Sequence, residues 1–538
     1  MTRLALAAVV IVALAFATGS ASAPTWSTVT QLSSGDRALG PELAISPAGD
    51  AAVVWDQEVG PDCASSPASL QCVHIVELTT RRRGTSSWLT PLELGRPGIG
   101  DRPHVAINDA GDAVVAWVHD IGRDRVLQAT FRSRSATSWP EPNDISEPSL
   151  GIQDFQIGMD YFGNAIALWA ERTETGVALR IATRSVVSGA WGAARTISRP
   201  GGNVSGGPSI ALTPLGAIAV AWIEDGAVRE IGSLIGSGST SGDWASPLQL
   251  SASEGAAFGT PDIAFDHTRD DIAVVWGFRA SSGSLGVRAA FHSFAQQAWI
   301  EQSIGDLLPP FDRPRVGAGN GTAVAVWVNG FGIVSATHVQ QKGLSSLTAW
   351  SSETPVSARS STAAEPDIAL DSSGNAVAVW TSGPNGVVQS AIRPAASGSW
   401  RPPVDVSTAG SSKPLISSDV TLTVWNRSSP PRIAVETSDL TGGGPVLQNL
   451  RIPKKGTVRA SLVFSVAPAP WSAPLAGEPV WHFGDGRSAR GRRVVHRYKH
   501  PGSFRVSVTS RDAQGDTATA SQRVRVVRRG TSQSSSGS

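Results

Sequence analysis

Short apolar runs that end in tryptophan recur along most of the chain. Ala113-Val114-Val115-Ala116-Trp117, Ile218-Ala219-Val220-Ala221-Trp222 and Ala376-Val377-Ala378-Val379-Trp380 are apolar at every position, so both faces of these segments need covering. At the two-residue period of a strand, Ala376 and Ala378 share a face with Trp380. Small residues beside one large one allow neighbouring sheets to approach where they converge. Each run follows a polar turn, such as Asp109-Ala110-Gly111-Asp112 or Ser372-Ser373-Gly374-Asn375, in which glycine supplies the positive φ of a tight hairpin. Ahead of the turn stands a segment headed by proline, Pro366-Asp367-Ile368-Ala369-Leu370-Asp371 in the typical unit. Proline is expected at the first position of that strand, where a missing N–H is tolerated. A further strand, Gly386–Arg393, and a loop lead to a second tryptophan, Trp400. The pattern predicts four strands per unit.

Sixteen of the eighteen tryptophans fall into eight pairs. Trp26, Trp88, Trp139, Trp191, Trp244, Trp299, Trp350 and Trp400 each open a short strand-like segment; Trp55, Trp117, Trp169, Trp222, Trp276, Trp327, Trp380 and Trp425 each close an apolar run. Most intervals between equivalent tryptophans are 50–55 residues, a repeat period. Units begin at residues 41, 103, 154, 208, 261, 314, 366 and 414, with Asp154 in place of proline in the third. Four-stranded units that repeat about an axis are the packing solution of a β-propeller. The last unit lacks a tryptophan-led outer strand, and the chain starts with an orphan one, Trp26–Leu32. The expected fold is therefore all-β: an eight-bladed propeller over residues 24–440, sealed by its N-terminal strand so that no edge is left open. Seven blades with a degenerate eighth unit is the alternative, because the last unit is short and lacks the glycine turn. The chain is similar to β-propeller repeat families in general. Its Pro-Asp-Ile-Ala…Gly-Asn pattern resembles TolB-type repeats, whereas the signatures of Trp-Asp, kelch and Asp-box propellers are not matched.

Composition shifts at Thr441-Gly442-Gly443-Gly444-Pro445, so 441–450 reads as a linker. Beyond it come Trp481-His482-Phe483-Gly484-Asp485-Gly486 and His496-Arg497-Tyr498-Lys499-His500-Pro501-Gly502-Ser503-Phe504. Alternation and the Asp-Gly turn predict a small antiparallel sandwich. These residues closely resemble the PKD-type domain over 451–527, with His482 where the family usually has Asp and Phe504 where Tyr is common. The resemblance implies an Ig-like fold, an extracellular spacer or binding module, and no catalysis. Residues 528–538 read as a disordered polar tail.

Residues 1–23 read as an export leader: Arg3, the apolar run Leu4–Ala17, then Gly19-Ser20-Ala21-Ser22-Ala23. A cut after Ala21 or after Ala23 is possible, and an uncleaved anchor is the alternative. No later stretch is apolar and long enough to span a bilayer. The expectation is a secreted, monomeric protein. Net charge is +1, which gives no footprint for nucleic acid or an acidic surface. Cys63 and Cys72 are the sole cysteines, and in an exported chain a close pair is expected to form a disulfide rather than a metal or redox site.

The polar loops that precede each inner strand are expected to meet at one end of the channel and to carry the ligand-binding residues: Arg37, Asp101, Arg102, Asp154, Asp312, Arg313, Glu365 and Lys413. Rigid scaffolds concentrate function on such loops. Asp50, Asp112, Asn164 and Asn375 are read as turn-formers, since calcium needs six to eight oxygens on one point and these lie in different units. The tryptophans are read as packing residues rather than sugar platforms, and Tyr498 as an inward-packing residue, although His496, Tyr498 and His500 share a strand face in this reading. His482 is expected to face solvent. No catalytic residue, metal or cofactor is assigned. The favoured function is a binding or scaffold protein for an extracellular glycan or protein ligand, more a binder than an enzyme, with no nucleic-acid partner. The alternative is a polysaccharide hydrolase or lyase using a carboxylate pair drawn from Asp101, Asp154, Asp312 and Glu365.

Overall fold

The structure, a computed structural model, describes residues 20–21 and 25–528 apart from 36, 47–48, 61–62, 64–71, 84, 99, 109, 150, 214–215, 235–245, 252–254, 267, 294–297, 309–311, 341–348, 360–361, 396, 418, 420, 430–431, 442–444, 470–474 and 514–516. The expected export leader therefore falls almost wholly outside the described residues, as do Trp244 and most of the expected C-terminal tail. Every element is a strand, and no helix among the described residues is long and apolar enough to cross a membrane. Contacts divide the chain into Trp26–Leu440 and a second unit of 1–25 with 441–538.

The first of these units is a β-propeller. Its described residues form eight antiparallel meander sheets whose strands succeed one another in sequence. The inner strands of sheets 1 to 8 are Ala38–Ile45, Gly100–Ile107, Ile152–Met159, Val204–Leu212, Ala256–Asp266, Arg315–Gly319, Ala364–Leu370 and Ser411–Ile416. Each inner strand contacts that of the next sheet, and the one in sheet 8 contacts the one in sheet 1. Buried clusters fill the spaces between neighbours. Between sheets 6 and 7, Val324, Val326 and Val328 face Ala376, Ala378 and Trp380. Between sheets 8 and 1, Leu32, Val424 and Val435 meet Val53 and Trp55. The tryptophan that ends each apolar run is 0–3% exposed in all eight units. This is the small-beside-large packing that the sequence pattern predicts, and an indole is large enough to fill the widening gap between two sheets.

The outer strand of sheet 8 comes from the N-terminus: Thr30–Gln31 pairs with Arg432–Thr441. Its bonds copy those of the other sheets. Leu32 N–H donates to Val435 O at 2.8 Å, as Ile145 does to Leu127 and Val406 to Val388. Val435 N–H donates to Ser33 Oγ at 3.0 Å, and Ser146, Ser198, Ser251, Ser357 and Ser407 accept the matching N–H in five other sheets. This recurrent serine carried no signal strong enough to be singled out from sequence.

Two local expectations are corrected. First, the tryptophan-led segments are mostly not continuous strands, although Ala298–Asp306 in sheet 5, which includes Trp299, is one. In sheets 2, 3, 4, 6 and 7 the outer strand is two residues long, such as Asn143–Asp144 or Val404–Asp405. Single bonds, from Gly192, Ser351 and Arg401, tie the residue after the tryptophan to the third strand. Prolines such as Pro140, Pro142, Pro402 and Pro403 cannot donate to a ladder and break it. Second, proline does not begin the inner strand. Pro41, Pro103, Pro208, Pro261, Pro366 and Pro414 lie inside it, where the register shifts. A β-bulge leaves one residue unpaired, so the absent N–H costs nothing.

The other unit is a two-sheet sandwich. One sheet holds Lys455–Thr457, Val480–His482, Ser488–Arg490, Gly502–Arg511 and Thr517–Val527, with Ser20–Ala21 at its edge; the other holds Val446–Arg451, Leu462–Ala469 and Arg493–His496. Trp481, Phe483, Phe464 and Tyr498 fill the space between them. Tyr498 Oη donates to Phe483 O at 2.9 Å and Trp481 Nε1 to Gly491 O at 3.0 Å. Burial, with Asp485 adding, holds the Tyr498 hydroxyl above its ordinary pKa. The strand ends at His496, so Tyr498 and His500 do not continue its face: His496 is buried and stacks on Phe483, and His500 is exposed. His482 is exposed as expected.

Candidate functional site

The bulge, present in every inner strand but that of sheet 6, is where the chemistry gathers. In four sheets the residue before proline takes a left-handed conformation: Gly40 in sheet 1, but Arg102, Glu365 and Lys413 in sheets 2, 7 and 8, with φ of 55°, 55° and 51°. Side chains other than glycine enter that region at a cost of roughly 1 kcal/mol or more, so the sheet must hold them there. It does so by bonds to the neighbouring sheet. Glu365 N–H donates to Asp312 Oδ2 at 2.8 Å, and Lys413 N–H donates to Glu365 Oε2 at 2.7 Å. Arg102 donates to the carbonyls of Gln153 and Ile152 in sheet 3. Burial raises the Asp312 carboxyl above its ordinary pKa.

The expected site residues thus divide. Asp312, Glu365 and Lys413 form one chain across sheets 6 to 8, and Arg102 reaches sheet 3. Asp154 lies against Gly207, where a Cβ would overlap its carboxylate. Arg313 donates to Asp262 Oδ1 at 2.9 Å. Arg37 is not part of this set of bonds between sheets; it pairs with Glu58 within sheet 1. The Asp101 side chain lies outside the described residues. The turn residues at the opposite strand end act on the backbone: Asp50, Asp112, Asn164 and Asn375 each accept the N–H of a residue just past the third strand, Arg83, Arg134, Val186 and Ala395, at 2.8–3.0 Å. Cys63 and Cys72 form a disulfide.

Just past the bulge, cross-strand from the residue before each buried tryptophan, stand Glu42, His104, Gln156, Ser209, Asp262, Arg315, Asp367 and Leu415. Seven of these eight equivalent positions are polar, Leu415 being the exception. Sequence reasoning passed over them in favour of the loops, although the polar residue directly after proline was the available signal. Arg315 sits between two carboxylates: its Nε and Nη2 donate to Asp367 Oδ1 at 2.8 and 2.6 Å, and its Nη1 lies 3.6 Å from Asp262 Oδ1. The other oxygens of those aspartates tether the next sheet. Val316 N–H donates to Asp262 Oδ2 at 2.8 Å, and Ile416 N–H to Asp367 Oδ2 at 2.9 Å.

Titration follows from this crowding. Burial opposes the Asp262 charge, but Arg315, Arg313 and the Val316 N–H together hold its carboxyl below the ordinary range. Burial likewise opposes the charge of Arg315, and Asp367, Asp262 and Glu42 outweigh it, raising its pKa. Glu42 is different. Burial pushes its carboxyl up to about 7, with Arg315 and Arg313 opposing and Asp367 and Asp154 adding. Its side chain is nonetheless 38% exposed, and His104 Nδ1 lies 3.9 Å from it, so it is enclosed by protein while still wetted. Burial lowers His104 to about 4, against the pull of Asp154 and with Arg102 and Arg313 adding; its ring packs edge-on against Phe155 at 4.5 Å. Near neutral pH the ring therefore holds a neutral imidazole beside a carboxyl that shares its proton with water. Groups from sheets 1, 2, 3, 6 and 7 act on Glu42 and His104 together, which places them around one axis.

Among known proteins, residues 460–527 match the family model of the PKD domain. No curated protein sequence matches the chain. Similar solved structures include the Dos1 propeller, at a TM-score of 0.45 and 7% identity over 78% of this chain and 95% of that one. The polysaccharide lyase Uly1 is similar at 0.41 and 8% over 72% and 88%, and the Hadza microbial sialidase Hz136 at 0.33 and 10% over 61% and 77%.

Proposed function

We propose that the eight sheets form an eight-bladed ring closed by the N-terminal strand, and that the chain is a secreted binding protein that takes an extracellular glycan or protein ligand at the ring of Glu42, His104, Asp262, Arg315 and Asp367. The leader is removed, the propeller spans 24–440, and the PKD-type module after the linker acts as spacer or second contact. One observation carries the reading: register-equivalent polar side chains from successive sheets meet around the axis, seven of them polar among eight equivalent positions. Burying such groups is unfavourable unless they bond to each other or to something else. Asp262, Arg315 and Asp367 pair with each other; Glu42 stays wetted and available, with the neutral His104 ring beside it.

The same bonds weigh against hydrolysis by the loop carboxylates. Asp312 and Glu365 each accept a neighbour's backbone N–H, and Asp154 accepts that of Phe155. A carboxylate fixed in that way is a tether more than an acid or nucleophile. The test is a screen of glycans and cell-wall polymers with the mature protein, scoring retention and product release together. Retention without release, lost in Glu42→Gln and His104→Ala, is the expected result. Release of shortened chains by the unaltered protein overturns the binding reading, and retention indifferent to both variants moves the site away from the ring.

A further inference from the structure

The net charge of +1 conceals a division along the chain. Residues 441–538 hold 16 Lys and Arg against 4 Asp and Glu, a net +12, while residues 1–440 hold 29 against 40, a net −11. An asymmetry of this size is a physical statement about partners, and it corrects the reading drawn from the total.

The excess has a location. In the larger sheet of the sandwich, the strands Lys455–Thr457, Val480–His482, Ser488–Arg490, Gly502–Arg511 and Thr517–Val527 contain no Asp or Glu. Alternation sends Val506, Val508, Val524 and Val526 into the core and leaves Ser503, Arg505, Arg511, Thr517, Thr519, Arg523 and Arg525 exposed. Register then sets like charges side by side. Arg505 stands directly opposite Arg523, and Lys455 opposite Arg525. Direct like-charge pairs destabilise a sheet, and here two adjacent ones form a patch of four cations with hydroxyls around it. Arg505 is bonded to Ser521 Oγ, at 3.3 Å from Nε and 3.2 Å from Nη2, which fixes its side chain on this face.

We propose that this face binds a linear acidic polysaccharide, one carrying carboxylate or sulfate groups along a hydroxylated backbone. Guanidinium groups recognise such anions through paired N–H donors, and the rows of Ser and Thr supply partners for sugar hydroxyls. The aromatic residues Trp481, Phe483 and Tyr498 are inside the sandwich, so among the described residues the face offers no indole or phenol platform for stacking bases, and Val527 is its one exposed large apolar side chain, too little for a lipid surface.

The test uses the full mature protein in 0.15 M NaCl (where the Debye length is about 8 Å) on polygalacturonate, dextran sulfate and neutral dextran. Vesicles of phosphatidylcholine with phosphatidylglycerol, and duplex DNA, serve as the other polyanions. Both acidic polysaccharides should retain the protein, dextran should not, and added salt should release it. Arg505→Gln with Arg523→Gln should weaken retention about tenfold without lowering the melting temperature, because it also removes a repulsive pair. That combination separates a binding role from a structural one. The proposal is overturned if neither acidic polysaccharide retains the protein, if the double variant binds as well as the parent, or if vesicles or DNA bind more tightly than both polysaccharides.

Discussion

Glu230 offers the sharpest check on the packing between sheets. It lies on Ala227–Leu234, opposite Ala221, and is 8% exposed. Equivalent positions hold Leu78, Ala129, Ile181, Ala289, Ser335, Ser390 and Thr437. Two of those are used to seat an indole of the next sheet: Trp400 Nε1 donates to Ser335 Oγ and Trp26 Nε1 to Ser390 Oγ. The Glu230 carboxylate has no hydrogen bond or ion pair among the described residues, and burial alone raises it from 4.5 to about 7. At ~1.4 kcal/mol per pH unit, that change costs the folded protein about 3 kcal/mol when the group is ionised. The sign follows from proton counts. Below pH 4.5 both folded and unfolded chains are protonated and nothing is lost; between there and about 7 the unfolded chain alone ionises, so stability falls as pH rises; above that the deficit is constant. Glu230→Gln removes the deficit. For the unit Trp26–Leu440, an unfolding entropy of about 2.1 cal/mol/K per residue converts ~3 kcal/mol into a gain of roughly 3–4 °C. Thermal unfolding of both proteins from pH 4 to 8 should show melting curves that coincide at the acid end and separate by that amount at pH 8. A separation independent of pH, or a variant less stable at pH 8, refutes the reasoning, since either means that Glu230 holds a partner.

Three further outcomes follow from the tethers. Asp367→Ala removes two bonds to Arg315 and one to the Ile416 N–H, leaving a crowded guanidinium with one partner; denaturant titration should record a loss of about 3–5 kcal/mol. Gly207→Ala drives a Cβ into the Asp154 carboxylate and should lower the melting temperature by several degrees, a cost of about 1–3 kcal/mol, whereas Gly201→Ala, open around its Cβ but also at positive φ (74°), should cost about 1 kcal/mol from backbone strain alone. Deleting residues 26–33 takes the outer strand from sheet 8 and exposes the edge of Arg432–Thr441; light scattering on the purified protein should show association that the intact chain lacks.

Which parts of this architecture were legible in the chain depended on how local the governing physics is. The tryptophan rhythm, the two-faced apolar runs and the glycine turns reported strands and their order, because alternation and turn chemistry act within a few residues. The Asp485-Gly486 turn and the Trp481 and Phe483 alternation reported the sandwich for the same reason. The outer strands were over-read, because a tryptophan that packs on a neighbouring sheet looks the same in sequence as one within a ladder. Proline was assigned to a strand end, because a bulge is visible only when the partner strand's register is known. The ring of Glu42, His104, Asp262, Arg315 and Asp367 was missed, since residues about 50 apart become neighbours only when successive sheets turn about a shared axis. Charge behaved in the same way. The basic excess after residue 440 was countable in the sequence, but Arg505 facing Arg523 was decided by strand register. The chain by itself determined which segments are strands and what each buries; the tertiary structure decided which polar groups meet, because electrostatic and hydrogen-bond partners are set by distance in space and not by separation along the backbone.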